Sequence, residues 1–136
     1  TSAFLSTGYR HVALSGDYGI SWLMTRLVGT ARARQLMFTG ERIDAHRCES
    51  IGLVNQVVPD EDLQTAAQTM AKSFADGPRT ALKLMKENLD LAIQTDFLNS
   101  LDHEASQLLA SSKNPDHREA VRAFIEKRTP NFGQKI

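Results

Sequence analysis

The spacing of apolar residues predicts that the second half of the chain is almost wholly helical. Between residues 60 and 126, apolar side chains recur three and four positions apart, which is the period of one face of an α-helix. Gly77-Pro78, Asp96 and Asn114-Pro115 divide this region into four helices, because such residues are typical of helix ends. We expect the apolar faces to form core or subunit contacts, and their larger members are Leu63, Met70, Phe74, Leu82, Met85, Leu89, Ile93, Leu98, Leu101, Leu108, Leu109, Val121, Phe124 and Ile125.

The first half of the chain mixes short extended pieces with helical turns. Residues 3–14 fit a short strand followed by a turn, which Gly8 interrupts. Asp44 is expected to cap a helical turn or two, and the valine-rich residues 53–58 to form a short strand or an extended segment. Few strands would then accompany many helices, which is typical of the helical side of an α/β protein whose sheet-forming part lies upstream.

The stretch from Ser15 to Gly29 links a glycine-containing turn to an amphipathic helix. Asp17 lies between two glycines and precedes apolar residues at helical spacing. Its carboxylate is well placed to accept hydrogen bonds from the first free N–H groups of that helix, so the local pattern favours an N-cap. A second short helix should begin after Gly29 and stop at Gly40, giving two helices with a tight junction.

Composition indicates a globular protein without a strong preference for polyanions. Sixteen basic residues balance sixteen acidic ones, so no net field favours nucleic acid or an anionic membrane as a partner. No apolar run approaches the roughly 20 residues of a membrane span, and no signal peptide is recognisable. The lone Cys48 cannot form an internal disulfide, which fits a cytoplasmic location. Because the chain opens without Met, on an apolar segment after Thr1, we expect a piece of a longer protein.

The titratable residues form no recognisable metal or nucleophile motif. The histidines are scattered, and His103 has no second histidine four positions later, as a zinc-binding helix requires. We therefore expect no metal site. Cys48 shares its helical face with Ala45 and Ile51, which directs the thiol inward and argues against a cysteine nucleophile.

Several short strings occur in a characteristic order along nearly the whole chain. They are Ala13-Leu14-Ser15-Gly16-Asp17-Tyr18-Gly19, Arg26-Leu27-Val28-Gly29, Thr39-Gly40, Gly52-Leu53-Val54-Asn55 and Ala123-Phe124-Ile125-Glu126-Lys127-Arg128. Together they resemble the C-terminal half of the crotonase superfamily, the enoyl-CoA hydratases and isomerases. The order of the strings makes this resemblance far more specific than any one of them.

The resemblance implies an α/β fold in which helices predominate in this chain. Residues 1–59 would form the last turn of a ββα spiral, and residues 60–136 a C-terminal helical region that mediates trimers, often paired into hexamers. The upstream half would supply most strands and the backbone N–H donors of the oxyanion hole. This chain alone is therefore expected to be inactive.

The resemblance also implies a chemistry and candidate site residues. The substrate would be an acyl-CoA thioester, with coenzyme A as part of it and no separate cofactor. Asp17 matches an aspartate that serves as a base in ring-forming isomerases and as a nucleophile in dehalogenases; capping and catalysis both remain open for it. Tyr9, or Gly8 if one residue is inserted, stands where hydratases carry their second glutamate, which argues against two-glutamate hydration.

Phe124 and Lys127 resemble residues that pack on the adenine and meet a phosphate of coenzyme A. A core phenylalanine and a solvated lysine are the alternatives. For the whole chain, an enzyme acting on acyl-CoA is the first interpretation. The second is a non-catalytic module of the same fold, whose helices serve assembly or partner binding.

Overall fold

The computed structural model describes residues 1–133 of the chain, which divide into a first compact unit, Thr1–Ala66, and a second that begins at Ala67. Helices dominate both. The elements are β1 (Phe4–Leu5), a 3₁₀ turn (Tyr9–Val12), α1 (Ile20–Thr39), β2 (Ile43–Asp44), α2 (Ala45–Ser50), a 3₁₀ turn (Asp60–Asp62), α3 (Leu63–Ala75), α4 (Arg79–Ala92), α5 (Phe97–Ser112) and α6 (Pro115–Glu126).

Helix α1 is broken in its middle, as the sequence predicts. Gly29 has φ 78° and ψ 163°, which is far from helical values, so residues 20–28 and 30–39 form two helical segments. This combination of angles is accessible essentially to glycine alone. Gly40, with φ 62°, ends the second segment and donates its N–H to the Leu36 carbonyl at 2.9 Å.

The strands of the first unit form one short antiparallel pair. Phe4 lies opposite Asp44, and Leu5 lies opposite Ile43. Residues 53–58 form no strand, so the strand alternative predicted for them is wrong. Glu49 explains part of this difference, because its carboxylate accepts the Val57 N–H at 2.9 Å, a donor that a sheet would have used.

The core of the first unit is small and lies between α1 and the β2–α2 region. Its apolar side chains are less than one-tenth exposed, and the Cys48 thiol is the most deeply buried of them at 1%. Asp44 caps α2 as predicted, because its side chain accepts the Arg47 N–H at 2.7 Å. The core residues are Met24, Val28, Ala33, Leu36, Ile43, Cys48 and Ile51.

The helices of the second unit begin at the residues that the sequence predicts. Asp96 accepts the Asn99 N–H at 3.0 Å, and Asn114 accepts the Asp116 N–H at 2.9 Å, so both act as N-caps. Helices α4 and α5 pack together, and Gln107 of α5 donates to the Glu87 carboxylate of α4 at 3.0 Å. Local capping chemistry therefore sets the helix boundaries here.

The apolar faces of these helices are not buried within the unit. Among residues 67–133, one apolar residue, Ala123, has an exposed fraction below one-tenth. By contrast, more than two-thirds of the surface is exposed in each of Leu89, Phe97, Leu98 and Leu108. The prediction that these faces form a core is therefore wrong for this unit. Contact with another surface stays a prediction. None of the described helices combines the length and the apolar character that a bilayer-spanning helix needs.

Candidate active site

Asp17 lies on an exposed turn between two glycines, directly before α1. Gly16 has φ 119°, and an added Cβ there would come within 2.9 Å of Ile20 Cγ2, so a glycine fits where another residue would clash. The N-cap of α1 is Gly19, and the Ile20 N–H bonds to the main-chain oxygen of Asp17 at 3.0 Å. The predicted capping role for the Asp17 side chain is therefore wrong, because the helix starts two residues later and the carboxylate has another partner.

That partner is Tyr9, whose hydroxyl donates a hydrogen bond to Oδ1 of Asp17. The two residues are eight positions apart, and this hydrogen bond brings together two of the candidate residues named from the sequence. Tyr9 is half-buried, whereas Asp17 is exposed. The Tyr9 phenol thus occupies one oxygen of a carboxylate that belongs to an exposed residue.

The hydrogen bond that Tyr9 donates to Asp17 raises the pKa of its phenol above the ordinary value of 10.0. Partial desolvation of the phenol and repulsion from the Asp17 charge act in the same direction. Tyr9 is therefore neutral at physiological pH and remains a hydrogen-bond donor. A glutamate at this position would instead place a second negative charge beside Asp17.

The segment that carries Tyr9 is anchored to the C-terminal end of α1. The last carbonyls of a helix lack intrahelical donors, and cationic or hydroxyl side chains satisfy them well. Four side chains of residues 6–11 donate to this end, two to carbonyls of α1 and two to the carbonyl of its C-cap residue, Gly40. The bonds run from Ser6 Oγ to Gly40 O at 2.9 Å, Thr7 Oγ1 to Leu36 O at 3.0 Å, Arg10 Nη1 to Phe38 O at 2.8 Å, and His11 Nε2 to Gly40 O at 3.2 Å.

The break at Gly29 explains how Tyr9 and Asp17 meet. Asp17 precedes the first residue of α1, whereas the Tyr9 segment is bound to its last carbonyls, and a straight helix of 20 residues would hold these ends roughly 30 Å apart. Because α1 changes direction at Gly29, Met37 of its second segment comes close to Gly16. Met37 Cε lies 3.4 Å from the position that a Cβ added to Gly16 would take. One element thereby fixes both candidate residues.

An apolar cavity of about 170 Å³ adjoins Tyr9 in the same unit. Ile20, Met24 and Leu36 of α1 line it together with Ile43. The Tyr9 ring therefore has an apolar side toward this cavity and a polar hydroxyl toward Asp17.

Phe124 and Lys127 lie at the end of α6 in the second unit. Phe124 is 85% exposed, so the alternative of a core phenylalanine is wrong for the described chain. Lys127 ends the helix in the left-handed conformation, with φ 53°, and its N–H bonds to the Phe124 carbonyl at 3.3 Å. An accessible aromatic ring and an accessible ammonium group thus stand close in sequence on one helix end.

The remaining candidate groups do not form a site. Burial raises the pKa of the Cys48 thiol. This agrees with the prediction that the thiol points inward, and it disfavours a thiolate nucleophile. In the part of the chain that the structure describes, no three histidine, cysteine or acidic side chains come together as metal ligands. The sequence named Tyr9 and Asp17 separately, but nothing in their spacing indicated their hydrogen bond.

Comparison with known proteins identifies the family to which the chain belongs. The profile of the Enoyl-CoA hydratase/isomerase family matches residues 4–135. The chain is 34% identical over 134 residues to the 1,2-epoxyphenylacetyl-CoA isomerase of Escherichia coli, covering 98% of this chain and 51% of that protein. It is 34% identical over 113 residues to the short-chain-enoyl-CoA hydratase of Clostridioides difficile, covering 83% of this chain and 73% of that protein.

Solved structures agree with the sequence comparison. The crystal structure of an enoyl-CoA hydratase from Bacillus anthracis superposes with a TM-score of 0.91 at 34% identity, over 96% of this chain and 51% of that one. The chain thus spans about half the length of most relatives cited here and shares the fold of the corresponding region. It belongs to the enoyl-CoA hydratase/isomerase family of the crotonase superfamily.

Proposed function

We propose that this chain is the C-terminal portion of an enzyme that shifts a double bond in an acyl-CoA thioester, with Asp17 as the group that moves the proton. The observation that carries the proposal is the hydrogen bond between Tyr9 and the carboxylate of the exposed Asp17. By the family resemblance, Tyr9 is the residue that stands where a hydratase would carry its second glutamate. A single carboxylate suffices for isomerisation, since one base can remove a proton and return it.

The proposed reaction balances without a cofactor. Asp17 removes a proton from the carbon next to the thioester carbonyl of a 3-enoyl-CoA, and the C–H electron pair forms a carbon–carbon double bond as the carbonyl becomes an enolate conjugated with the existing double bond. The protonated Asp17 then returns the proton to a carbon two positions away, which restores the thioester with its double bond displaced. N–H donors outside this chain would stabilise the enolate oxygen.

Hydration is the less favoured reaction. It requires activation of a water molecule as well as protonation of the substrate, and the residue at the second-glutamate position is Tyr9, a neutral phenol. The name of the E. coli relative, an isomerase, supports the same choice, although the clostridial relative is named a hydratase. The family match disfavours the alternative of a non-catalytic module.

Coenzyme A binding is the proposed role of Phe124 and Lys127. The exposed ring can stack on adenine, and the ammonium group can pair with a phosphate.

We also propose that further copies of the protein cover the apolar helical faces of the second unit, as a trimer or hexamer would, in a cytoplasmic enzyme. The exposure of those faces supports this assembly.

The deciding experiment follows the movement of the double bond in the protein with its upstream half present. Conversion of a 3-enoyl-CoA to the 2-enoyl isomer should be seen as a rise in the ultraviolet absorbance of the conjugated thioester, and in D₂O the product should largely retain the transferred hydrogen, which mass spectrometry measures. Asp17→Asn should lower this rate by about 10²- to 10⁴-fold, the usual contribution of a positioned base, while coenzyme A binding is retained.

Asp76→Asn serves as the matched control, because Asp76 is an exposed acid paired with Lys72 at 2.7 Å on the surface of the second unit. It should leave the rate unchanged. Isomerisation by Asp17→Asn at the wild-type rate would contradict the proposal. Turnover by residues 1–136 alone would contradict the expectation that the oxyanion donors lie outside this chain.

A further inference from the structure

We propose that Tyr9 is a positioning residue for Asp17: its hydroxyl holds one carboxylate oxygen and leaves the other free to face the substrate. This inference rests on the proposed function, in which Asp17 carries the proton. It gives a role to Tyr9, which the sequence identified only as the residue that stands in place of the second glutamate of hydratases. Three observations support it: the main chain around Tyr9 is held in place, the Tyr9 phenol is neutral, and the Asp17 carboxylate has few other contacts that would orient it.

The main chain around Tyr9 is held on both sides. Gly8 and Ala13, which flank the 3₁₀ turn, both adopt left-handed conformations, with φ values of 58° and 56°. The Tyr9 N–H bonds to the Thr7 carbonyl at 2.6 Å, and its own carbonyl accepts the Leu14 N–H at 3.0 Å. With the four bonds to the end of α1, these contacts fix the origin of the tyrosine side chain.

The side chain of Asp17, by contrast, has little else to orient it. It is exposed, it sits between glycines, and the capping bonds that usually hold such an aspartate are absent because the described helix is capped by Gly19. The Tyr9 hydroxyl therefore supplies the contact that selects one orientation of the carboxylate. A base held in one orientation loses less entropy in reaching the transition state.

The charges around the phenol suit this role. The groups that act on Tyr9 are the carboxylate of Asp17 and, more weakly, the phenol of Tyr18. A neutral donor beside a carboxylate is attractive, whereas two carboxylates at this distance would compete for one proton. A tyrosine at this position thus leaves Asp17 as the one carboxylate of the pair and gives it a hydrogen-bond donor.

The first test uses ionisation of the phenol and needs no enzymatic activity. The chain contains two tyrosines, so Tyr18→Phe leaves Tyr9 as its single tyrosine, and phenolate absorbance then reports Tyr9 alone. In this background Asp17→Asn and Asp17→Ala should each lower the pKa of Tyr9 toward 10.0, since the charged acceptor is removed. Asp76→Asn should leave it unchanged. A Tyr9 titration that is the same with and without Asp17 overturns the inference.

The second test separates positioning from folding in the protein with its upstream half. Tyr9→Phe keeps the ring but removes the donor, and should lower kcat about 10- to 100-fold, the usual loss for a hydrogen bond to a charged group, while KM changes less than twofold. Tyr18→Phe, whose side chain is 95% exposed, should leave both constants unchanged. Circular dichroism and melting temperature confirm that each variant folds.

The outcomes distinguish this inference from the proposed function. If Asp17→Asn is inactive and Tyr9→Phe is fully active, the positioning role is wrong and the isomerase proposal stands. If the wild-type protein shows no isomerisation, the proposed function fails, and the titration of Tyr9 still decides whether the pair forms. A rise in KM with unchanged kcat would make Tyr9 a binding residue instead.

Discussion

At the scale of single residues, Glu119 ties the end of α6 to the segment that follows it. Its carboxylate accepts two bonds from the Arg128 guanidinium, at 2.6 and 3.1 Å, and a third from the Asn131 N–H at 3.0 Å. The bonds from Arg128 are the largest cause that lowers the pKa of Glu119, from 4.5 to about 2. The charged form is thus the one that the folded chain prefers.

This preference predicts a pH-dependent contribution to stability. A carboxylate with a depressed pKa stabilises the fold above its unfolded pKa of about 4.5, and the contribution disappears as pH falls toward about 2. Glu119→Gln should therefore lower the melting temperature at pH 7, and the two proteins should converge between about pH 5 and pH 2. Glu104→Gln, which changes an exposed acid on α5, is the control. A difference that persists undiminished at pH 2 would show that the Glu119 charge is not responsible.

The candidate residues themselves were largely accessible to sequence reasoning, but their contacts were not. Asp17 and Tyr9 could be named because the strings around them resemble a family. Their hydrogen bond depends on where α1 turns and on where it ends, and the bonds that fasten the Tyr9 segment to that end join residues 28 to 34 positions apart. The core alternative for Phe124 fails for a related reason, because helical periodicity reports which side chains share a face but not what covers it.

At the scale of elements, α1 determines the geometry of the candidate site through its break at Gly29. The junction itself was predictable, since a glycine between two periodic segments is a local feature. Caps at Asp44, Asp96 and Asn114 were predictable for the same reason. Residues 53–58 were not, because β-rich composition cannot indicate whether a partner strand exists or whether a side chain such as Glu49 binds the backbone instead.

The angles at Gly29 predict a sharp difference between two glycine substitutions. Gly29→Asn should destabilise the first unit by about 1–3 kcal/mol, because ψ 163° with positive φ is closed to side chains. Gly19→Asn should be nearly neutral, since φ 74° and ψ 19° lie close to the left-handed region that asparagine tolerates. Both sites have open space around an added Cβ within residues 1–133, so the comparison isolates backbone strain.

Chemical denaturation measures both variants. The Gly29 variant should also lower the pKa of Tyr9, because bending at this point brings the tyrosine to Asp17. Equal stability of the two variants would mean that the angles at Gly29 carry no strain.

At the scale of the whole molecule, the apolar faces of the second unit require a covering surface. Leu98, Leu108 and Ile125 are each between two-thirds and three-quarters exposed, although they lie on the apolar faces predicted from the sequence. Soluble proteins rarely leave such faces open to water. The helices could be predicted because their caps and periodicity are local, whereas the covering surface could not, because it does not belong to the residues that form them.

We therefore expect the protein to associate in solution. Light scattering should give a mass above 15.1 kDa that rises with concentration. Leu98→Glu, which places a charge on an exposed apolar face of α5, should shift the population toward smaller species without changing helical content. Thr95→Glu, a polar position just before α5, provides the comparison. A monodisperse monomer at all concentrations would contradict the expectation.

The bonds that fasten the Tyr9 segment to the end of α1 also have a consequence for the order in which the protein folds. They join residues 28 to 34 positions apart, whereas the Arg128–Glu119 bonds of the second unit span 9 positions and the Gln107–Glu87 bond spans 20. Contacts between distant positions form more slowly, since more chain entropy is lost before they close. The helices of the second unit should accordingly assemble early, and the docking of the Tyr9 segment on the end of α1 should be among the later events of folding.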